Sequence, residues 1–475
     1  MRDTSTAHHE HEWSHWLHIR PLADFLRRQA GAAALLIVAA GIAMVWANSP
    51  WWETYGEFWD RELAFTFDGT TLSLSLRDWV NDGLMTLFFF VVGLEIKREV
   101  TQGELREFRH AAVPIIGAVG GMVVPAVLFL ALNIGGAGVN GWGIPVATDI
   151  AIVMGVIALL ASRVPSWLKL FLLALAIVDD IGAILVIAIF YSSGVSFGWL
   201  AAAIGIFAVA LILRPRVPSI TVYVVLGVLC WFSLHEAHVH PTLAGVAFGV
   251  LAPVTPRRHT GLVDAEELLL HPSVEMAAEM AHRARDSVSI VEWLIHRLHP
   301  YTSYLIIPIF ALANAGVHIP ISELGDAMSS TVTWGVILGL VVGKIVGIFG
   351  ASMLAVVTRV GSLPVGVTPR YLLGASALGG IGFTVSLFVT RLAFTDPDLG
   401  RDARLGVLVA SLVAAAIGAA ILIPGKPPTA SAHGDTMSLI SAPTREMESA
   451  AVARAASGPG RSDPTGMSAD LGAAP

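Results

Sequence analysis

The chain has 475 residues, 55% of them hydrophobic and only 14% charged, with a mean hydropathy of +0.70. A soluble domain carries about a quarter of its residues as Asp, Glu, Lys and Arg, so this composition excludes an ordinary water-soluble globule. The net charge of −7, with basic residues scattered between apolar runs, gives no sign of nucleic acid as a partner, and the single Cys230 excludes an intrachain disulfide and a cysteine-based metal cluster.

Taken from the start, residues 1–30 read as a solvated cytoplasmic tail that holds His8, His9, His11, His15 and His18. Apolar runs long enough to cross about 30 Å of hydrocarbon then recur near 31–48, 78–98, 111–133, 143–162, 167–191, 198–213, 218–234, 240–254, 301–317, 332–358, 369–393 and 404–424. They predict an all-α polytopic membrane protein of about twelve transmembrane helices over 31–424. Arg27 and Arg28 precede the first run, but no small-x-small cleavage site follows, so that run is read as an uncleaved span and not a signal peptide. Between the first two spans, over 49–77, the pattern of Thr66, Leu72, Leu74 and Leu76 fits a small extracytoplasmic β-hairpin suited to contacts in a homodimer. Residues 255–299 read as a long cytoplasmic connection. Its later part (Val288, Ile290, Val291, Leu294, Ile295, Leu298) has near-helical apolar spacing and predicts an interfacial helix. Residues 425–475, rich in Ser, Ala, Gly and Pro, predict a disordered cytoplasmic tail.

Alternate loops divide the 29 Lys and Arg residues unevenly. One side holds Arg61, Arg77, Arg391, Arg401 and Arg404; nearly all the rest fall on the other side with both tails. The positive-inside rule then places both termini in the cytoplasm.

An ionisable side chain in mid-membrane costs at least about 2.5–3.5 kcal/mol on insertion scales and is retained mostly where it pairs or lines a cavity. The charges deep within spans are Asp82, Asp149, Asp179, Asp180 and Lys344, with Glu95, Lys97, Arg98 and Glu99 at one span's cytoplasmic end. Asp149 follows Pro145, Gly141 and Gly143, which favour a broken helix; Gly379, Gly380 and Gly382 mark a matching weak point in the eleventh span. Interrupted spans at corresponding places in two halves point to crossing half-helices around a midplane ion site. Their unpartnered ends carry opposite partial charges, which Asp149 and Lys344 are placed to neutralise. Asp179 and Asp180 stand between apolar turns, so both lie near the midplane. Neighbours on a helix are rotated by about 100°, so one carboxylate can meet a cation while the other meets a counter-charge. Two ionised carboxylates this close repel each other and favour uptake of protons or a small cation. Lys344 balances Asp149 or pairs with Asp180; the sequence leaves that choice open. Around it Gly335, Gly339, Gly343 and Gly347 form a stripe that lets a neighbouring helix come close.

Several segments, in order, carry a resemblance to a known family: Asn-Asp-Gly-Leu-Met (81–85), Phe-Phe-Phe-Val-Val-Gly-Leu-Glu-Ile-Lys-Arg-Glu (88–99), Pro-Val-Ala-Thr-Asp-Ile-Ala (145–151), Ala-Ile-Val-Asp-Asp-Ile-Gly-Ala (176–183), Pro-Thr-Leu-Ala-Gly-Val (241–246), Ala-Asn-Ala-Gly-Val (313–317), Gly-Lys-Ile-Val-Gly (343–347) and Gly-Ile-Gly-Phe-Thr-Val-Ser (380–386). The ordered set resembles the NhaA family of sodium/proton antiporters over nearly the whole membrane region. That family is itself a known inverted-repeat transporter, so inverted-topology repeats follow here from the resemblance and not from the residues. The resemblance implies electrogenic exchange of sodium or lithium for protons by alternating access in a bacterial inner membrane, with membrane lipid around it and no cofactor. It makes Asp179 and Asp180 the ion-binding, proton-carrying pair. Thr148, Asp149, Lys344 and Gly382 become helix-crossing and charge-compensating residues, and Glu95, Glu99 and His240 become residues of pH regulation. Pro241 follows His240 where some members have alanine, and the 255–299 connection and the final tail are longer than usual; these departures leave the aspartate pair intact.

Two other classes fit less well. A sodium-coupled symporter of an organic solute needs more polar lining than Asn140, Thr148 and Thr384 supply. An intramembrane aspartyl protease needs its two aspartates on separate helices, whereas Asp179 and Asp180 are adjacent and diverge. The sequence therefore reads as a transporter and not an enzyme.

Overall fold

The computed structural model describes residues 29–424 apart from 68–69, 104–107, 162, 193, 215, 218, 255–287 and 363–367. The histidine-rich tail, the final tail and most of the connection assigned to 255–299 lie outside the described residues.

Helix α1 (Gln29–Ala47) and the short α2 (Trp52–Trp59) lead into strands β1 (Glu62–Phe67) and β2 (Thr70–Ser75). The strands pair antiparallel, in register from Glu62 opposite Ser75 to Phe67 opposite Thr70. Ser75 ends the strand and starts α3 (Leu76–Gln102): its hydroxyl accepts from the Asp78 amide at 3.0 Å, and the Asp78 carboxylate takes the Ser75 amide in return. Such a reciprocal cap satisfies two otherwise orphaned donors. A π-helical turn, Trp79–Leu84, follows at once.

Next come α4 (Phe108–Asn133), a 3₁₀ helix Ala137–Val146, and α5 (Ile150–Leu159). The 3₁₀ helix and α5 form one apolar unit bent by 44°. Helix α6 (Ser166–Phe190) carries the two aspartates, and the shorter apolar helices α7 (Phe197–Leu213), α8 (Ile220–Glu236) and α9 (Thr242–Leu251) follow. Helix α10 (290–314) runs through a π-helical turn, Thr302–Ile306, without a break in its right-handed backbone. The interfacial helix expected near 288–298 is therefore the opening of α10, and its Val291 and Ile295 are buried against Leu94 of α3. The part of the apolar face at Val291 and Ile295 meets protein, whereas Val288 is exposed.

Helix α11 (Ile321–Ser329) is short, α12 (Thr331–Val357) is long, and α13 (Pro369–Leu378) with α14 (Phe383–Ala393) forms a second bent unit, at 45°. The last is α15 (Pro397–Leu422), whose start is capped by Asp396. Among the described residues, six helices have the length and apolarity to cross a bilayer, or up to eight if each bent pair is one span. The twelve predicted spans require α7 to α10 as well.

Glycine sets the closest packing. A Cβ on Gly120 would collide with the Gly347 carbonyl, and one on Gly347 with the Gly120 carbonyl; at Gly343 it would lie 2.8 Å from Cα of Pro125. Backbone-to-backbone contact between α4 and α12 gives dispersion contacts where apolar burial yields nothing between lipid-embedded helices. It also carries Lys344, completely buried, to the two helix breaks.

Candidate functional site

The two bent units meet at their breaks. The Asp149 amide donates to the Ile381 carbonyl at 2.6 Å, which joins the gap 147–149 to the gap 379–382. The Asp149 side chain then closes two helix starts: Oδ1 accepts the Ile152 amide at 3.1 Å, and Oδ2 accepts the Thr384 amide at 3.0 Å and its hydroxyl at 2.7 Å. A carboxylate there compensates the positive N-terminal ends of α5 and α14. The opposite ends carry free carbonyls. Lys344 Nζ donates to Val146 O, and Ser386 Oγ donates to Ile144 O at 2.7 Å. Gly382 allows this closeness, since a Cβ on it would stand 2.8 Å from Leu340 Cδ2 and against Ser386 Oγ.

Lys344 has a second duty. Its Nζ lies 2.6 Å from Asp179 Oδ2 and 3.1 Å from Thr148 Oγ1. Thr148 Oγ1 in turn is 2.5 Å from Asp179 Oδ2 and 2.8 Å from the Gly379 carbonyl, so its one proton serves either acceptor. Asp179 and Lys344 are both 0% exposed, and an ion pair this dry survives only with extra hydrogen bonds to share its charge. The structure thus corrects the sequence expectation: Lys344 pairs with Asp179, and neither with Asp149 nor with Asp180. The 100° rotation between neighbouring residues turns Asp179 toward α12 and leaves Asp180 elsewhere.

Asp180 borders a cavity of about 280 Å³ whose floor also includes Asp149, Thr148 and Thr384, and whose walls rise past Glu95 and Arg98 of α3 to Glu292, His296 and His299 of α10. Among the described residues no hydrogen bond reaches the Asp180 carboxylate, and Asp179 Oδ1 is buried without a partner. A buried, cavity-lining acid next in sequence to a carboxylate with one orphaned oxygen is an arrangement that can take up a proton or a small hard cation, which prefers oxygen ligands.

The remaining predicted residues are distributed unevenly. Glu95 lines the cavity, whereas Glu99, one turn on, is buried and 3.3 Å from Arg98. His240 lies outside the cavity, in the turn between α8 and α9, with Nε2 2.8 Å from the Tyr191 carbonyl. The Tyr191 hydroxyl accepts the Gly143 amide at 3.0 Å and donates to the Asn140 carbonyl at 2.7 Å, so His240 reaches the first broken unit through one intermediary. Tyr191, the cap that follows α6, is eleven positions and about 16 Å of axis from Asp180. Sequence reasoning missed Ser386, Gln29, His296 and His299. A polar residue inside an apolar run is the signal that marks Ser386; the others needed the fold to bring α1 and α10 to the cavity.

Comparison with known proteins adds a family model and several relatives. A family model described as Na+/H+ antiporter 1 matches residues 23–422. Among curated proteins, the chain is 46% identical over 389 residues to "Na(+)/H(+) antiporter NhaA 1" of Mycobacterium sp. (strain KMS), covering 81% of this chain and 63% of that protein. It is 46% identical over 413 residues to "Na(+)/H(+) antiporter NhaA 2" of Myxococcus xanthus, covering 84% and 88%, and 44% identical over 421 residues to "Na(+)/H(+) antiporter NhaA" of Rhodopirellula baltica, covering 86% and 94%. Against the Mycobacterium relative the chain spans less than two thirds of the partner's length.

Proposed function

The chain belongs to the Na+/H+ antiporter 1 family, and from that premise we propose that it exchanges sodium, or the smaller lithium, for protons across a bacterial inner membrane. The observation that carries the reading is the position of Asp180 on the cavity floor without a hydrogen bond among the described residues, while its sequence neighbour Asp179 is held by Lys344. A cation entering between Arg98 and Glu292 passes Glu95 and meets the Asp180 carboxylate on the floor. Its charge there disfavours a proton on either acid and competes with Lys344 for Asp179. Protons arriving on the other face reverse the exchange, so one pair of acids serves two cargoes in turn. Both termini and the cavity mouth are assigned to the cytoplasm from the excess of Lys and Arg on that side.

The stoichiometry we propose is two protons inward for each sodium outward. Each elementary charge moved through the potential gains about 2.3 kcal/mol per 100 mV, so the net inward charge lets voltage alone drive export. The paired strands β1 and β2 are proposed as the contact of a homodimer in surrounding lipid, and α7 to α10 as further spans, which would complete twelve. Residues 31–424 form the transport unit in this reading.

Proteoliposomes holding the purified chain and a pH-sensitive dye test both levels of the proposal. Added sodium is expected to move protons in the opposite direction, with a reversal potential that fits two protons per sodium. No sodium-linked proton movement overturns the exchange; a reversal potential that fits one-for-one overturns the stoichiometry alone.

A further inference from the structure

Below the cavity floor the bundle is closed by α3, α10 and α14 packed side by side. Thr384 of α14 is on the cavity floor; one turn deeper, the Phe388 ring lies 5.8 Å from Phe89 of α3 and 6.4 Å from Phe310 of α10, centroid to centroid. Deeper again, Asn314 Nδ2 donates to Asn81 Oδ1 at 2.9 Å and Asn81 Nδ2 returns to Asn314 Oδ1 at 3.3 Å. At the same level Arg77 Nη1 donates to the Ala313 carbonyl at 2.9 Å. These amide and guanidinium bonds fasten α3 to α10. The outermost layer is an ion pair between Asp78 of α3 and Arg391 of α14.

We propose that the Asp78–Arg391 pair is a gate latch: it holds α14 against α3 while the cavity is open on the opposite side, and it parts each time the site faces the other way. The inference rests on the exchange reading above and goes beyond it by naming the contact that must break.

Three observations support it. The two side chains are 30% and 35% exposed, and a pair that wet adds little to fold stability, so stability alone does not account for it and it is weak enough to open in every cycle. Asp78 is immobilised, because its other oxygen accepts the Ser75 hydroxyl at 2.6 Å in the cap of α3; motion therefore falls to Arg391. Helix α14 runs straight from Thr384, which binds Asp149 at the ion site, to Arg391 seven residues on, about 10 Å along the axis. A shift of the crossing reaches the latch through one rigid helix, with the aromatic layer between as the seal.

The test uses the full chain with Cys230 replaced by alanine, carrying Asp78→Cys and Arg391→Cys, in proteoliposomes. A short bis-methanethiosulfonate reagent, whose links a reductant cleaves, is expected to cut sodium/proton exchange at least tenfold, with recovery on reduction and no effect on either single-cysteine protein. Protein shown by mass spectrometry to be cross-linked, yet exchanging at the reduced rate, overturns the latch. If the double variant fails to insert, Asp78→Asn with Arg391→Gln takes its place. It is expected to raise the sodium concentration for half-maximal exchange from the cavity side a few-fold, because less protein rests in the cavity-open state; an unchanged value overturns the proposal. Absence of exchange in the unmodified chain instead removes the reading beneath it, so the two failures are distinguishable.

Discussion

At the scale of single residues, two adjacent, chemically identical side chains of the proposed site have different surroundings. Asp179 shares one oxygen with Lys344 and Thr148 in a dry interior, while Asp180 faces the cavity without a hydrogen bond among the described residues. A unit charge about 4 Å from a cation is worth about 4 kcal/mol at an effective dielectric of 20. Asp180→Asn is therefore expected to lower sodium-linked proton flux by roughly three orders of magnitude in a protein that still inserts; wild-type flux in vesicles would remove this acid from the ion path. Lys344 is expected to behave differently, because its ammonium also compensates a helix end through the Val146 carbonyl. Removing one partner of a buried pair costs about 3–5 kcal/mol. Lys344→Ala should thus lower the thermal unfolding temperature in detergent far more than Thr148→Ser does. A variant as stable as wild type but inert in transport would show instead that the ammonium takes a direct part in exchange.

At the scale of elements, the site exists because two bent units cross, and they cross where α4 and α12 approach through glycine. The Gly347 position faces the Gly120 backbone, whereas a Cβ on Gly350, three residues along the same helix, meets nothing within 4 Å. Gly347→Leu is expected to destabilise the protein by about 1–3 kcal/mol or more, as overpacking does, and to displace Lys344. Gly350→Leu should leave both the melting temperature and exchange near wild type. Equal effects of the two substitutions would mean that helix propensity, not close approach, governs this contact. Polar side chains serve the break: Asp149 accepts from donors of α5 and α14, and Lys344 and Ser386 donate to acceptors of the preceding 3₁₀ helix. Irregular backbone at membrane depth requires this, since unmet polar groups cost several kcal/mol each.

For the whole molecule, the strands β1 and β2 stand out as a two-stranded sheet among described residues that are otherwise helical or irregular. Its inner edge is held by Trp79, whose ring packs edge-on to Phe65 at 5.5 Å and whose Nε1 donates to the Leu63 carbonyl at 3.2 Å. A lone hairpin is marginal in water, and β-strand edges readily pair with another chain. Replacing 62–75 by a short Gly-Ser linker is expected to shift the detergent-solubilised protein from dimer to monomer by light scattering, with exchange per chain retained. A dimer that persists without the strands would assign the contact elsewhere.

Composition and motif order were enough to establish a helical, multi-pass membrane chain of this antiporter family, because a bilayer imposes apolar length and tolerates few charges, so each exception stands out in one dimension. The same logic exposed Asp149, Asp179, Asp180 and Lys344, and the paired glycine and proline interruptions exposed the two broken helices. Partner choice was not legible. Whether Lys344 meets Asp149, Asp179 or Asp180 depends on where α12 crosses α6, a matter of a few ångströms set by glycine contacts far apart in the chain. The floor of the cavity, the burial of Val291 and Ile295 inside the bundle, and the meeting of Asp78 with Arg391 across 313 positions were likewise decided by packing, because local periodicity gives a helix its faces but does not say which other helix each face will touch.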